Sequence, residues 1–227
     1  VAGPTFVQGA VNSDGAGTGV ATLAQAFGSN NVTGNAIAVI VTSFDTRANL
    51  TNTSVSDAPG GGASNKYSLV GTFVNVASGC SIHAYLASNI KAGANTVTVN
   101  WGTGGGDFPD LWIVETTSAI FDAVGFGGAA SGGTAQGMSA TVVPVASNDL
   151  IIETGIVGSH ITAAEAGYTQ KVPGAGIDNN GAFLATKAGA AVGSQAVTMS
   201  QNTSDIWAMV ALALQSSAAN CIFFGSD

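Results

Sequence analysis

Apolar and polar residues alternate with a period of two through most of this chain, in short stretches broken by glycine, asparagine and aspartate. Successive side chains on a strand point to opposite faces, so this period gives a half-buried strand and leaves no apolar stripe on a helix. The stretches, rich in Val, Ile, Thr and aromatics, are residues 5–11, 19–27, 36–44, 67–74, 81–86, 96–101, 111–116, 138–143, 150–157, 182–187, 196–200 and 206–214. Turn clusters fall at 14–17, 57–62, 102–107, 127–133, 173–176 and 179–181. Short strands with such punctuation make sandwiches and barrels, and no alternation of strand and helix patterns suggests a parallel sheet. The expectation is an all-β fold, an antiparallel β-sandwich that is jelly-roll-like, with Gly-rich loops. Residues 161–166 read as one helical turn, 208–214 as a core strand, and 125–137 as a long surface loop.

No shift in composition divides the chain, so residues 1–215 read as a single β-sandwich domain. Residues 216–227 read as a C-terminal extension, small and polar at first and then apolar at Cys221, Ile222, Phe223 and Phe224. The chain begins with Val1, which suggests a processed leader or a trimmed sequence.

Charge limits the partners. Charged residues make up 8% of the 227, against about 25% in ordinary soluble domains, and the net charge is −8. Five basic residues cannot follow a phosphate backbone, so nucleic acid is excluded as a partner. The longest apolar runs, 36–41 and 206–214, are far shorter than the roughly 20 residues of a membrane-spanning helix.

Phe6-Val7-Gln8-Gly9, the run Gly93-Ala94-Asn95-Thr96-Val97-Thr98-Val99, the strand ending in Glu115 and Ser147-Asn148-Asp149-Leu150-Ile151 occur in a telling order. Together with Ser54-Val55-Ser56-Asp57 before Asn65-Lys66-Tyr67, with Gly167-Tyr168-Thr169 and with the closing strand 206–214, they resemble a known domain. It is a β-sandwich domain of secreted or surface bacterial proteins, roughly 200 residues long and so within the usual domain range. The resemblance covers about residues 5–215 and consists of turn and strand patterns. It implies an all-β extracellular module with no established activity to carry over.

Groups able to do chemistry are few: three Glu, two His and two Cys. Glu115 and Glu153 would suit glycoside hydrolysis if their carboxyls stood about 5–10 Å apart, but solvated strand faces account for both. His83 and His160 lack a G-x-S-x-G elbow. The glycines at 102–106 precede no helix that could face a phosphate. Trp101, Trp112, Tyr67, Tyr85 and Tyr168 would form a sugar-stacking surface only if exposed and coplanar, and the four lysines leave room for an isopeptide bond. No catalytic residue, cofactor-binding residue or cofactor is expected. Asp107 and Asp110 are the weak candidates for metal, and calcium is the ion such oxygens suit. Cys80 and Cys221 are expected to pair as a disulfide, within or between chains. Sequons at Asn31, Asn49, Asn52 and Asn202 offer attachment points for glycans.

Four Lys and five Pro are too few to protect the open edges of a dozen strands. The sequence therefore reads as a non-enzymatic, extracellular or cell-surface structural subunit. Its partners are copies of itself, assembled into a filament or surface layer through strand edges. Phe6, Val7, Ile222, Phe223 and Phe224 are the expected subunit contacts. A virion decoration or capsid protein on a virion surface, or a carbohydrate-binding module, are the alternatives.

Overall fold

The computed structural model describes residues 2–14, 19–44, 53–75, 79–101, 107–129, 137–173, 182–203 and 205–217. Up to Thr116 the strands are β1 (Phe6–Ser13), β2 (Thr22–Ala26), β3 (Ala36–Ser43), β4 (Ser54–Asp57), β5 (Ser68–Asn75), β6 (Cys80–Ser88), β7 (Thr96–Asn100) and β8 (Asp110–Thr116). Beyond it follow β9 (Ala119–Ala129), β10 (Gly137–Val142), β11 (Asp149–Val157), β12 (Ile161–Ala164), β13 (Thr169–Pro173), β14 (Phe183–Ala190), β15 (Gln195–Gln201) and β16 (Trp207–Ser216). A 3-10 turn lies at Pro59–Gly61. The protein is all-β, as expected, and the strand pairs are antiparallel.

The topology contains a duplication. The first eight strands form a five-stranded sheet, β1-β8-β3-β6-β5, and a three-stranded sheet, β2-β7-β4. The last eight form β9-β16-β11-β14-β13 and β10-β15-β12, the same two orders with eight added to each strand number. Placing the last strand of each set between the first and third is the jelly-roll arrangement. Backbone hydrogen bonds repeat with the strands. Gly34 N–H donates to the Ile90 carbonyl at 3.0 Å, as Asn148 N–H does to Ala190 at 2.9 Å. Gly93 donates to Asn31 at 3.1 Å and Gly193 to Pro144 at 2.9 Å, while Thr117 donates to Thr5 at 3.0 Å and Ser217 to Ser118 at 2.8 Å. The sequence keeps an echo of this in Val97-Thr98-Val99 on β7 and Val197-Thr198-Met199 on β15. Asp110-Leu111-Trp112 and Asp205-Ile206-Trp207, leading into β8 and β16, are a second echo.

The two sandwiches stack through their five-stranded sheets, with β1 against β13, β5 against β9, and β16 against β6. On β3, Ile37, Val39 and Val41 fill the first sandwich, whereas Ala36, Ala38 and Ile40 enter the core shared with the second. All eight β3 residues are buried, as are all nine of β11. A strand covered on both faces reads as a continuous apolar run, which explains why 36–41 shows little alternation. The sequence reads as one sandwich over 1–215; the described strands form two, joined by one continuous core.

The largest local departure from the sequence reading is β9. Residues 119–129 are strand, so the first part of the surface loop expected over 125–137 is strand instead, while 130–136 lie outside the described residues; the two strand sets meet at Ser118. Glycine is needed here for close approach. A Cβ on Gly125 would lie 1.9 Å from the Thr141 carbonyl oxygen, and one on Gly127 1.8 Å from that of Ser139, because the β10 backbone lies directly on β9. Across the shared core, a Cβ on Gly128 would meet the Phe73 ring at 2.8 Å and one on Gly71 the Phe126 ring at 2.8 Å. The two rings stack with centroids 5.8 Å apart and planes 10° from parallel. Residues 161–164, expected as a helical turn, pair with β15 as a short strand.

Candidate functional site

The buried carboxylates fall into distinct settings. Glu115, at the end of β8, is fully buried and accepts four hydrogen bonds. Gln8 Nε2 donates at 2.6 Å, Asn35 Nδ2 at 2.7 Å, and Asn31 Nδ2 and the Val32 backbone N–H at 2.8 Å each. Burial alone would raise its proton affinity, but these donors together hold Glu115 below its ordinary value. Asp57 on β4 has a comparable collar: Asn65 N and Nδ2 at 2.7 Å, Tyr67 OH and Asn95 Nδ2 at 2.8 Å, and Ser64 Oγ at 3.1 Å. Burial opposes ionisation there too, and the donors again lower the result. Both groups tie loops to the first sandwich.

Glu153 on β11 is the opposite case. It is fully buried and neither carboxyl oxygen has a hydrogen-bond partner. Burial first, then the charge of Glu165, pushes it up to about 8, with Lys187 opposing. Lys187 Nζ lies 5.5 Å above the Tyr168 ring, and Glu165 accepts a hydrogen bond from Thr198 N–H at 3.1 Å. A neutral carboxyl beside an ionised one is what general-acid catalysis uses. Such catalysis also needs a substrate in reach, and Glu153 has no exposed surface. Two shallow cavities, of about 320 and 230 Å3, meet near Thr5 and Ala188 where the sandwiches join, and no carboxylate lines either.

Glu115 and Glu153 do not form a pair. Glu115 pairs in register with Ile37, whose side chain fills the first sandwich. Glu153 shares a face with Gly155, where an added Cβ would meet Met138 of β10. The two carboxyls therefore lie on the outer sides of the two central sheets, whose planes stack about 10 Å apart.

The remaining sequence candidates are placed as follows. Asp107 Oδ1 accepts from Gly19 N–H at 2.9 Å, and Asp110 Oδ2 from Thr42 Oγ1 at 3.2 Å; each makes local structural bonds. Among the described residues no three His, Cys, Asp or Glu gather as a metal site. Cys80 is buried in the shared core on β6, and Cys221 lies outside the described residues. Phe6 packs against the shared core, with Lys171 Nζ 5.5 Å from its ring centre, while Val7 is 42% exposed. Ile222, Phe223 and Phe224 lie outside the described residues. Trp101 and Trp112 are buried, and Asn31, spent on Glu115, is too buried to accept a glycan.

Sequence reasoning missed an exposed apolar rim at one end of the second sandwich. Val143, Val145 and Val192 stand there, Val145 at 73% exposure and Val192 at 58%. The Gly193–Pro144 bond joins the two loops that carry the valines, and Val145 N–H donates to Asp122 Oδ2 at 2.8 Å. Val143-Pro144-Val145, apolar residues inside a turn, was the available signal. The corresponding corner of the first sandwich carries exposed Val7 and Val32.

The fold and these sites define a tandem jelly-roll-like β-sandwich whose best-bonded acidic groups are structural. No protein-family model, curated protein or solved structure matches the chain. Among the described residues no helix is long and apolar enough to cross a membrane.

Proposed function

We propose that this chain is a non-enzymatic, extracellular structural subunit that assembles with copies of itself into a filament or surface layer. The observation that carries the reading is the exposed rim of Val143, Val145 and Val192, on a chain with few charges to hold copies apart. Removing one such side chain from water contributes roughly 1.5–3 kcal/mol, and association entropy and side-chain ordering subtract from the sum. One rim gives a weak contact that repetition along a polymer reinforces. Each sheet also ends in strands with an open backbone edge, β1 and β5 in one central sheet and β9 and β13 in the other. An open edge takes up a further strand through main-chain hydrogen bonds, the role we assign to residues 221–224.

A sugar-binding reading would need an aromatic platform. Trp101 and Trp112 are core residues, and Tyr67 donates its hydroxyl to Asp57. The virion-surface setting differs from the surface layer in its host and not in its chemistry. The test compares the full chain with Val145→Glu and with a chain ending at Ser217, which leaves β16 whole. Light scattering across a concentration series should show large species for the full chain and smaller ones for both variants, with unchanged circular dichroism. Identical size distributions for all three would overturn the assignment of these contacts.

A further inference from the structure

Among the described residues, the second sandwich holds a pair of carboxyls that the first does not. Asp149 opens β11 and is fully buried, and apart from the facing Asp122 carboxyl neither of its oxygens has a hydrogen-bond partner. Asp122 on β9 directs Oδ2 to two backbone donors, Val145 N–H at 2.8 Å and Ala146 N–H at 3.1 Å. Its Oδ1 is buried and also lacks a partner. Asp122 falls between Phe121 and Ala123, where the β16 register slips by one residue, and that bulge aims its side chain away from the regular ladder.

The duplication supplies the comparison. Asn35 and Asp149 each follow the positive-φ residue that enters the third strand of its set, Gly34 at +87° and Asn148 at +65°. Those two residues make the equivalent bonds to Ile90 and Ala190. In the first sandwich Asn35 gives its amide to Glu115, one of four donors around a single carboxylate. In the second, an acid stands in the place of that amide and meets another acid. Burial, then Asp122, raises Asp149 to about 7. One shared proton would join two of the three orphaned oxygens and leave the third buried without a donor. A cation satisfies all three.

We propose that Asp122 and Asp149 bind one divalent cation of the calcium type, which joins β9 to β11 as the amides around Glu115 join the strands and loops of the first sandwich. Calcium takes oxygen ligands, and the two carboxylates supply the charged ones. The site is separate from Asp107 and Asp110. It does not depend on the assembly reading.

The test is thermal unfolding of the full chain at neutral pH after chelation, with and without added calcium, beside Asp149→Asn. That substitution supplies the amide found at the equivalent place in the first sandwich, so the variant is expected to fold. Calcium about 100-fold above its dissociation constant should raise the melting temperature of the parent chain by roughly 5–10 °C. Titration calorimetry should count one ion per chain, and Asp149→Asn should show neither effect. A parent chain indifferent to calcium, whose loss of stability as pH rises through 7 is lessened in Asp149→Asn, would show a proton in place of the ion and overturn the proposal. So would a calcium shift retained in Asp149→Asn.

Discussion

Replacing Glu115 with Gln keeps its shape but removes its charge and turns one acceptor into a donor facing the amides of Asn31, Asn35 or Gln8. Buried donors left unpaired cost about 1–3 kcal/mol each, so Glu115→Gln should lower stability by roughly 3 kcal/mol or more in urea unfolding. Because Glu115 is held below its ordinary value of 4.5, its contribution is complete above that pH and is lost as pH falls through the lowered folded value. Glu153 runs the other way. Its folded state keeps a proton up to about 8 against 4.5 ordinarily, so between these values the folded chain binds more protons and stability falls as pH rises. One such group sets a slope of up to about 1.4 kcal/mol per pH unit. Burial drives His83 down to about 4, which gives the opposite slope, but only below its ordinary value of 6.5. Between pH 6.5 and 8, Glu153→Gln should therefore lessen the decline seen in the parent chain, to which Asp149, raised to about 7, adds when no cation is bound; equal slopes would refute the buried, protonated Glu153. Little of this was legible in sequence. Glu115 and Glu153 each stand in a strand pattern, and their opposite settings depend on what Asn31, Asn35 and Glu165 bring from distant segments.

At the scale of elements, the twelve stretches read as strands all became strands: most carry their own period and turn residues, while 36–44 and 206–214 are apolar runs covered on both faces. The four strands not anticipated share a different cause. β4 and β12 have only four residues each, β13 is short and mostly polar in Thr169-Gln170-Lys171-Val172-Pro173, and β9 hides its strand behind glycines. Glycine usually marks turns, and sequence alone does not separate that use from a strand crossed closely by another backbone. Gly125→Ala tests the distinction. Its Cβ has no room against the Thr141 carbonyl, and relief requires β10 to move. The loss should exceed about 2 kcal/mol in chemical denaturation, whereas a glycine in a surface loop would tolerate alanine within a few tenths.

For the whole molecule, stacking two sandwiches explains the composition. Trp112, Ile40, Ile82 and Val114 on one central sheet meet Ile152, Val210 and Leu212 in the core shared with the other, so a second face of each central strand is apolar. The fold class followed from pattern, but the duplication did not. Only Val97-Thr98-Val99 with Val197-Thr198-Met199, and the two Asp-Leu/Ile-Trp runs, preserve it in sequence, too little to stand out among so many short Val- and Thr-rich strands. What the outer surface then does is the central claim. Electron microscopy of the concentrated full chain tests it most directly. Ordered filaments or sheets with a repeating subunit are predicted; a field of separate, uniform monomers at every concentration would contradict the account.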